Sequence, residues 1–229
     1  MRRLHPLALA LTLALGCATA AAPAPSPDRS APGDPAAVLG PPPPRGSAAD
    51  REDLAVVLWE QRVRTEADVA RLRHDPGLGL DFFAPALGER FDAAAHPRTR
   101  ALIDRVHARA TPVILSAKER FGRIRPYDSD ARVEPVAEKE STPSYPSGHA
   151  TRGVLVARVL AELAPARRDA LRQAGLRPGY DRVLGGVHYP SDVLAGFRLG
   201  DAIADAFLAD PALQESLETV RREEWGGAP

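Results

Sequence analysis

Residues 146–163 read PSGHATRGVLVARVLAEL, a short polar motif that leads directly into a long apolar run. The apolar residues recur at helical spacing, which predicts a helix that begins near Ser147. A serine and a glycine at a helix N-terminus present free backbone N–H groups, and such groups bind phosphate readily. His149, on the first turn, would be placed to donate a proton to the same ligand. The motif also fits simple capping, with Ser147 as the N-cap and His149 incidental.

The segments on both sides of this helix have helical patterns and few β-branched runs. Upstream, the predicted helices cover residues 47–73, 82–91 and 97–121. Pro126 is expected to end the third of these, because the residue before a proline disfavours the helical region. Downstream, the predicted helices cover 166–174 and 191–208, and a last one begins at Asp210-Pro211. With no internal repeat and no strand pattern of useful length, the sequence predicts one all-α domain over residues 47–229.

Residues 1–20 have the parts of a secretory signal peptide. Arg2 and Arg3 supply positive charge, an apolar run follows, and small residues that a signal peptidase accepts complete the segment. The apolar run is too short to span a bilayer as a stable helix. Cys17 allows lipidation as a weaker alternative, because the surrounding residues only loosely resemble a lipoprotein cleavage site. We therefore expect the protein to be periplasmic or secreted.

The next segment, residues 21–46, is rich in proline, alanine and serine and ends near four consecutive prolines. A segment of this composition cannot bury a core of its own. It is therefore predicted to be an extended linker between the signal peptide and the helical domain.

The charge and cysteine content exclude several classes of function. The chain has 30 basic and 30 acidic residues and so lacks the basic excess of a nucleic-acid-binding protein. Its one cysteine, Cys17, lies inside the predicted signal peptide. Cleavage after Ala20 would therefore exclude thiolate catalysis and cysteine metal sites. No later segment has the apolar length of a membrane span, so the mature protein is expected to be soluble.

Two further clusters point to chemistry. Lys118 and Arg125 are seven residues apart, a spacing that would place both on one face of a helix that continued that far. The pair would then hold an anion, or else form a solvated basic helix end. His188 and Asp192 are four residues apart, the spacing at which helical side chains meet. A carboxylate on one imidazole nitrogen leaves the other free to attack, although the pair also fits a helix cap.

The three clusters together resemble the signature of a known family. Lys-x(6)-Arg-Pro, Pro-Ser-Gly-His and Arg-x(5)-His-x(3)-Asp follow one another in the order found in the type 2 phosphatidic acid phosphatase superfamily. The chain resembles in particular the soluble bacterial class A non-specific acid phosphatases. The resemblance implies a single-domain helical bundle of the acid phosphatase and vanadium haloperoxidase type, with the three motifs meeting at one end.

The resemblance also implies a function. It indicates an acid phosphatase that acts on small-molecule phosphate monoesters through a phosphohistidine, without a metal or other cofactor, and possible assembly as a homo-oligomer. The phosphate-binding residues would be Lys118, Arg125, Ser147, Gly148 and Arg182. The catalytic residues would be His188 as nucleophile, Asp192 as its orienting carboxylate and His149 as general acid and base. A vanadium haloperoxidase, a lipid phosphate phosphatase and a non-catalytic anion-binding protein are the alternatives.

One residue departs from the family pattern. The third motif usually begins Ser-Arg, whereas this chain has Asp181-Arg182. A carboxylate that pointed into the site would repel phosphate, so we expect Asp181 to face away and to orient Arg182 or Arg177. Phe82 and Phe83 are expected to be core residues, with contact between one of them and the organic part of a substrate as the alternative.

Overall fold

The computed structural model describes residues 38–74 and 77–226. All regular structure within these residues is helical, which confirms the predicted all-α fold class. The helices are α1 (Ala48–Val63), α2 (Glu66–Leu72), α3 (Leu80–Leu87), α4 (Pro97–Phe121), α5 (Pro126–Ser129), α6 (Gly148–Leu163), α7 (Arg168–Leu184), α8 (Pro190–Leu208) and α9 (Pro211–Glu224). Two short 3₁₀ helices lie at Ala93–Ala95 and Pro165–Arg167.

Helix α6 forms the centre of the bundle. Ser147 caps it by accepting a hydrogen bond from the backbone N–H of Ala150 at 3.4 Å. Helices α4, α7 and α8 pack against α6. Its apolar side chains, among them Leu155 and Leu160, are buried on nearly every face. The Pro-Ser-Gly-His motif stands at the start of this helix, so its residues lie at one end of the bundle.

Helices α6 and α7 approach closely at a pair of glycines. A Cβ atom added to Gly153 would lie 2.2 Å from the carbonyl oxygen of Gly175, a separation that no side chain permits. The prediction that this helix ends at residue 174 is wrong, because α7 continues through Gly175 and Pro178 to Leu184. Glycine and proline lower helix propensity, but the close packing that the glycine allows outweighs that preference here.

The first predicted helix, over residues 47–73, is divided in two. Helix α1 ends at Val63, and Thr65 begins α2 by forming a capping box with Asp68. In this box the Thr65 side chain accepts from the Asp68 backbone N–H while the Asp68 side chain accepts from the Thr65 backbone N–H. These paired bonds satisfy donors that a helix start leaves open, so a second helix begins where one had been expected to continue.

The ends of two other helices also have local causes. Helix α3 ends at Leu87, before Gly88 with φ of 124°, rather than near residue 91. Helix α4 has the predicted limits Pro97 and Phe121, but Gly122, in the left-handed region with φ of 58°, ends it. Pro126 lies beyond that end and opens α5 as its first residue. Pro126 is therefore a helix start, and the expectation that it ends α4 is wrong.

Part of the predicted linker packs against the helices. Leu39 is 3% exposed and belongs to the main core, although residues 21–46 were expected to bury nothing. The hydroxyl of Tyr145 donates a hydrogen bond to the carbonyl oxygen of Gly40 at 2.8 Å. The predicted signal peptide, residues 1–20, and the linker as far as residue 37 lie outside the described residues. Over residues 38–74 and 77–226, no helix has both the length and the apolar character needed to cross a membrane.

Candidate active site

Three predicted phosphate-binding cations are buried at one end of the bundle. Lys118 is in the last turn of α4, Arg125 precedes α5 as its N-cap residue, and Arg182 is in the last turn of α7. Their exposed fractions are only 3%, 2% and 7%. Because burying an unpaired charge is costly, such cations require nearby acceptors or an anion.

Lys118 and Arg125 reach the site from different segments, because α4 ends at Phe121 and does not continue to Arg125. The Lys118 ammonium donates to the carbonyl oxygen of Pro143 at 2.5 Å. Arg125 donates from Nη1 to the carbonyl oxygen of Val187 at 3.0 Å. Burial, followed by the positive charge of Arg125, lowers the pKa of Lys118 to about 8.

The N-terminus of α6 faces Lys118. A Cβ atom built on Gly148 would lie 3.9 Å from Cε of Lys118 and 3.3 Å from Nη1 of Arg152. Ser147 is fully buried, and its backbone N–H donates to the carbonyl oxygen of Asp192 at 2.9 Å. Helix N-termini are favourable places for anions, and this one is next to a predicted phosphate-binding cation. Arg152 adds positive charge that the motif analysis missed.

His188 and Asp192 form a fully buried pair. Nδ1 of His188 lies 3.2 Å from Oδ2 of Asp192, and Nε2 of His188 lies 3.4 Å from Nη1 of Arg125. An ionised carboxylate can only accept, so Nδ1 carries the imidazole proton and Nε2 keeps the lone pair. The unprotonated nitrogen, Nε2, is thus on the side of the ring that faces Arg125.

The imidazole of His188 is neutral over most of the pH range. Burial lowers the pKa of His188 to about 4, and the opposing effect of Asp192 offsets this only in part. Burial would raise the pKa of Asp192, but its hydrogen bond from His188 and the charge of Arg123 outweigh burial and lower it. A neutral ring beside an ionised carboxylate has the protonation state that a nitrogen nucleophile needs.

Arg123, which the motif analysis missed, supports this pair from behind. It donates to Asp192 at 2.7 Å, to Asp53 at 2.8 Å and to Asp50 at 3.0 Å. Its guanidinium also lies 3.9 Å from the centre of the Tyr189 ring. Burial alone would lower the pKa of Arg123, but Asp192 and the other carboxylates raise it. Arg123 therefore holds the Asp192 carboxylate in place as a permanent cation.

Ser144 and the backbone of α8 complete the environment of Asp192. The Ser144 hydroxyl donates to Oδ2 of Asp192 and lies 3.4 Å from Nδ1 of His188. The backbone N–H of Tyr189 donates to the same oxygen at 2.9 Å. These donors fix the carboxylate and, through it, the orientation of the His188 ring.

Glu140, also missed, lies among the cations. Its carboxylate accepts from Nη2 of Arg125 at 2.7 Å and from Nη2 of Arg182 at 3.1 Å. Nδ1 of His149 lies 3.8 Å from the same carboxylate. Glu140 stands in an irregular segment between α5 and α6, where no sequence period marks a functional residue.

A cavity of about 410 Å³ opens beside His149 and Arg182. Its apolar wall includes Leu72, Leu78 and Phe82, whereas Phe83 is fully buried in the core. The cavity thus extends from the predicted phosphate-binding residues toward a surface suited to an organic group.

Asp181 lines the same cavity but is ion-paired. Its carboxylate lies 2.6 Å from Nη1 of Arg71 and 3.8 Å from Nε of Arg177. The expected pairing with Arg177 is present, while the shorter contact, to Arg71, was not anticipated. These two partners compensate the negative charge that the departure from the family pattern introduces.

Comparisons with known proteins identify the family of this chain. A sequence model described as the PAP2 superfamily matches residues 106–212, which include all three motifs. An acid phosphatase of Zymomonas mobilis is 31% identical over 198 residues, covering 83% of this chain and 75% of that protein. The chain belongs to the PAP2 superfamily. The predicted family is therefore confirmed.

Other PAP2 proteins show similar relationships. A non-specific acid phosphatase of Salmonella typhimurium is 29% identical over 194 residues, covering 81% of this chain and 78% of that protein. A crystal structure of a transmembrane PAP2-type phosphatidylglycerolphosphate phosphatase from Bacillus subtilis has a TM-score of 0.52 and 21% identity. That match covers 78% of this chain and 90% of the other, and it supports the PAP2 fold alone.

The lowered pKa of Lys118 leads to a pH prediction for this PAP2 site. Lys118 is charged below pH about 8 and neutral above it, so its titration alone is expected to lower kcat/KM by about tenfold by pH 9. Lys118→Arg keeps its charge in alkaline solution and should lose about tenfold less of its activity at pH 9 than the wild type does, whatever its absolute activity. The pH dependence of kcat/KM for both proteins on one substrate provides the test, because substrate ionisation then cancels. An alkaline decline that is identical in both would contradict the assignment.

Proposed function

We propose that this protein is an acid phosphatase that hydrolyses phosphate monoesters through a phosphohistidine on His188, without a metal ion. The main support is the lone pair on Nε2 of His188, which lies 3.4 Å from a buried arginine while Asp192 holds the opposite side of the ring. This arrangement aims a neutral nucleophile at the place where cations would hold an anion. The names of the relatives, acid phosphatase and non-specific acid phosphatase, support the same class of reaction.

Lys118, Arg125 and Arg182 would bind the non-bridging oxygens of the phosphoryl group. Nε of Arg182 is buried without a hydrogen-bond partner, an unusual state for a charged donor that a phosphate oxygen would relieve. The hydroxyl of Ser147 and the backbone N–H of Gly148 would complete the phosphate site. In phosphoryl transfer most of the catalytic effect comes from positioning and charge stabilisation, and these groups supply both.

The reaction would proceed in two steps. Nε2 of His188 attacks phosphorus, and a bond forms as the ester P–O bond breaks, while His149 gives its proton to the departing alcohol. His149 then takes a proton from water, whose oxygen attacks phosphorus and breaks the N–P bond. Phosphate leaves and both histidines return to their starting states. Since His188 is neutral above pH about 4 and His149 must begin protonated, the optimum should be acidic.

The organic part of the ester would occupy the cavity next to His149. Its apolar wall, which includes Leu78 and Phe82, suits a hydrocarbon or aromatic group. The leaving oxygen would then lie at the phosphate end of the cavity, within reach of His149. We further propose that the enzyme acts after export, because residues 1–20 have the composition of a secretory signal.

Phosphate release by the purified protein tests this function. We expect hydrolysis of both glycerol phosphate and nitrophenyl phosphate, full activity in EDTA and strong inhibition by vanadate, which mimics five-coordinate phosphorus. Inhibition by EDTA would overturn the metal-independent mechanism. Failure to release phosphate from any monoester would overturn the activity, and peroxide-dependent bromination with added vanadate would instead indicate a haloperoxidase.

A further inference from the structure

The carboxylate of Glu140 contacts two of the cations that the proposed mechanism assigns to phosphate. One oxygen accepts from Arg125 at 2.7 Å, and the other accepts from Arg182 at 3.1 Å. The second oxygen is also 3.8 Å from Nδ1 of His149. Glu140 therefore contacts two proposed phosphate-binding residues and the proposed general acid simultaneously.

Glu140 is negatively charged in this position among the cations. Burial would raise its pKa, but the positive charge of Arg125 and the neighbouring cations outweigh burial and lower the pKa to about 2. The group is therefore an anion at any pH at which the enzyme would work. Two carboxylate oxygens that bridge arginine guanidinium groups make the charge-assisted bonds that two phosphate oxygens would make.

Arg125 does not depend on Glu140 for its placement. Nε of Arg125 donates to the carbonyl oxygen of Thr142 at 2.8 Å, and Nη1 donates to the carbonyl oxygen of Val187 at 3.0 Å. These bonds to backbone oxygens hold the guanidinium even when its remaining nitrogen changes partner. The contact with Glu140 therefore neutralises charge more than it positions the arginine.

The backbone of Glu140 is anchored, while its side chain has a route out. The Tyr127 hydroxyl donates to the carbonyl oxygen of Glu140 at 2.9 Å and accepts from its backbone N–H at 3.2 Å. The Glu140 side chain remains 31% exposed, in contrast to the buried cations that it contacts. Rotation of this one side chain toward solvent would free the cations without any movement of the segment that carries it.

We propose that Glu140 is an internal anion that fills the phosphate site of the free protein and that an incoming phosphoryl group must displace. This inference rests on the proposed function, because it takes Arg125 and Arg182 to be phosphate ligands. Only molecules in which Glu140 has left the site can bind an anion. The apparent Kd for every anion is therefore the intrinsic Kd divided by the fraction of molecules in which the site is open. Glu140 therefore selects ligands with enough charge and enough oxygens to replace both arginine contacts, such as the dianionic phosphate of a monoester.

Glu140→Gln tests the proposal, since it retains the shape of the side chain and removes the charge. Inorganic phosphate and vanadate should bind about tenfold more tightly to this variant, and KM for a monoester should fall with no loss of kcat. Glu138→Gln, in the same segment and exposed, is the matched control and should bind both anions like the wild type. Glu140→Asp, whose shorter side chain reaches both arginines less well, should give a smaller gain and provides a second measurement.

Calorimetric titration with inorganic phosphate separates this proposal from the proposed function, because it requires no turnover. Unchanged or weaker phosphate binding by Glu140→Gln and Glu140→Asp would overturn the role of Glu140, even if both variants hydrolyse esters. Tighter binding in a protein that releases no phosphate from any ester would support the internal anion and reject the phosphatase. A lower kcat together with a higher KM in Glu140→Gln would mean that Glu140 positions the arginines, which contradicts displacement.

Discussion

His188→Ala is expected to reduce phosphate release by at least about 10⁴-fold, because it removes the atom proposed to attack phosphorus. Nε2 of His188 is the imidazole nitrogen on the side of Arg125, and the opposite nitrogen is held by Asp192. No other nitrogen nucleophile has this placement among the residues described here. Rapid-quench labelling with a radioactive monoester should trap an acid-labile phosphoenzyme in the wild type and none in the variant.

Two controls make this result interpretable. His96→Ala removes a histidine that stacks on Phe91 with ring centres 4.4 Å apart, away from the three motifs, and should retain activity. His188→Ala should still bind inorganic phosphate if it is folded, since Lys118, Arg125 and Arg182 remain. A labelled phosphoenzyme in His188→Ala would show that another residue is the nucleophile and would reject the assignment.

His149→Ala is expected to have an effect that depends on the leaving group. Alkyl phosphates need a proton on the departing oxygen, so their hydrolysis should fall by about 10²- to 10⁴-fold, the usual contribution of a general acid. Nitrophenolate leaves with little need for a proton, so nitrophenyl phosphate hydrolysis should fall much less in the first step. His149 lies on the first turn of α6 and lines the cavity proposed for the organic group, which places it beside the leaving oxygen.

The informative measurement is the ratio of kcat/KM for glycerol phosphate to that for nitrophenyl phosphate, because kcat/KM reports steps up to the first irreversible one. Loss of His149 should lower this ratio strongly, whereas Lys118→Arg should leave it nearly unchanged because Lys118 contacts no leaving group. Equal losses on the two substrates would indicate that His149 serves phosphate binding rather than proton transfer.

The sequence predicted the helical class and several elements because their signals are local. Helix α4 has its predicted limits because its apolar residues recur at helical spacing, although Gly122 rather than the expected Pro126 ends it. Helix α7 was predicted too short because Gly175 and Pro178 resemble a helix end, and the reason for Gly175 is a contact with Gly153 on another helix. Leu39 was assigned to a linker because the surrounding prolines gave no sign of the core position that it occupies.

In the candidate site, too, some residues were predictable from the sequence and others were not. Lys118, Arg125 and His188 were identified because their spacing and order match a family signature. That signature can be recognised in the sequence without a structure. Glu140 and Arg123 were missed, since neither belongs to one of the three motifs or to a periodic pattern. These two residues matter because segments that are distant in the sequence meet around them. The spacing of residues along the chain does not predict which distant segments meet.

The contacts of Arg123 have a consequence for how the molecule matures. Asp50 and Asp53 on α1 bind Arg123, Arg123 binds Asp192, and Asp53 also accepts from the backbone N–H of Ser191 across 138 positions of sequence. The contacts that hold Asp192, the carboxylate beside the proposed nucleophile, therefore come from α1 as well as from Arg123 and the start of α8. A nascent polypeptide that has not yet emerged as far as Ser191, or a fragment clipped after Asp53, lacks this support. We therefore expect hydrolysis only after α1 and the start of α8 have come together.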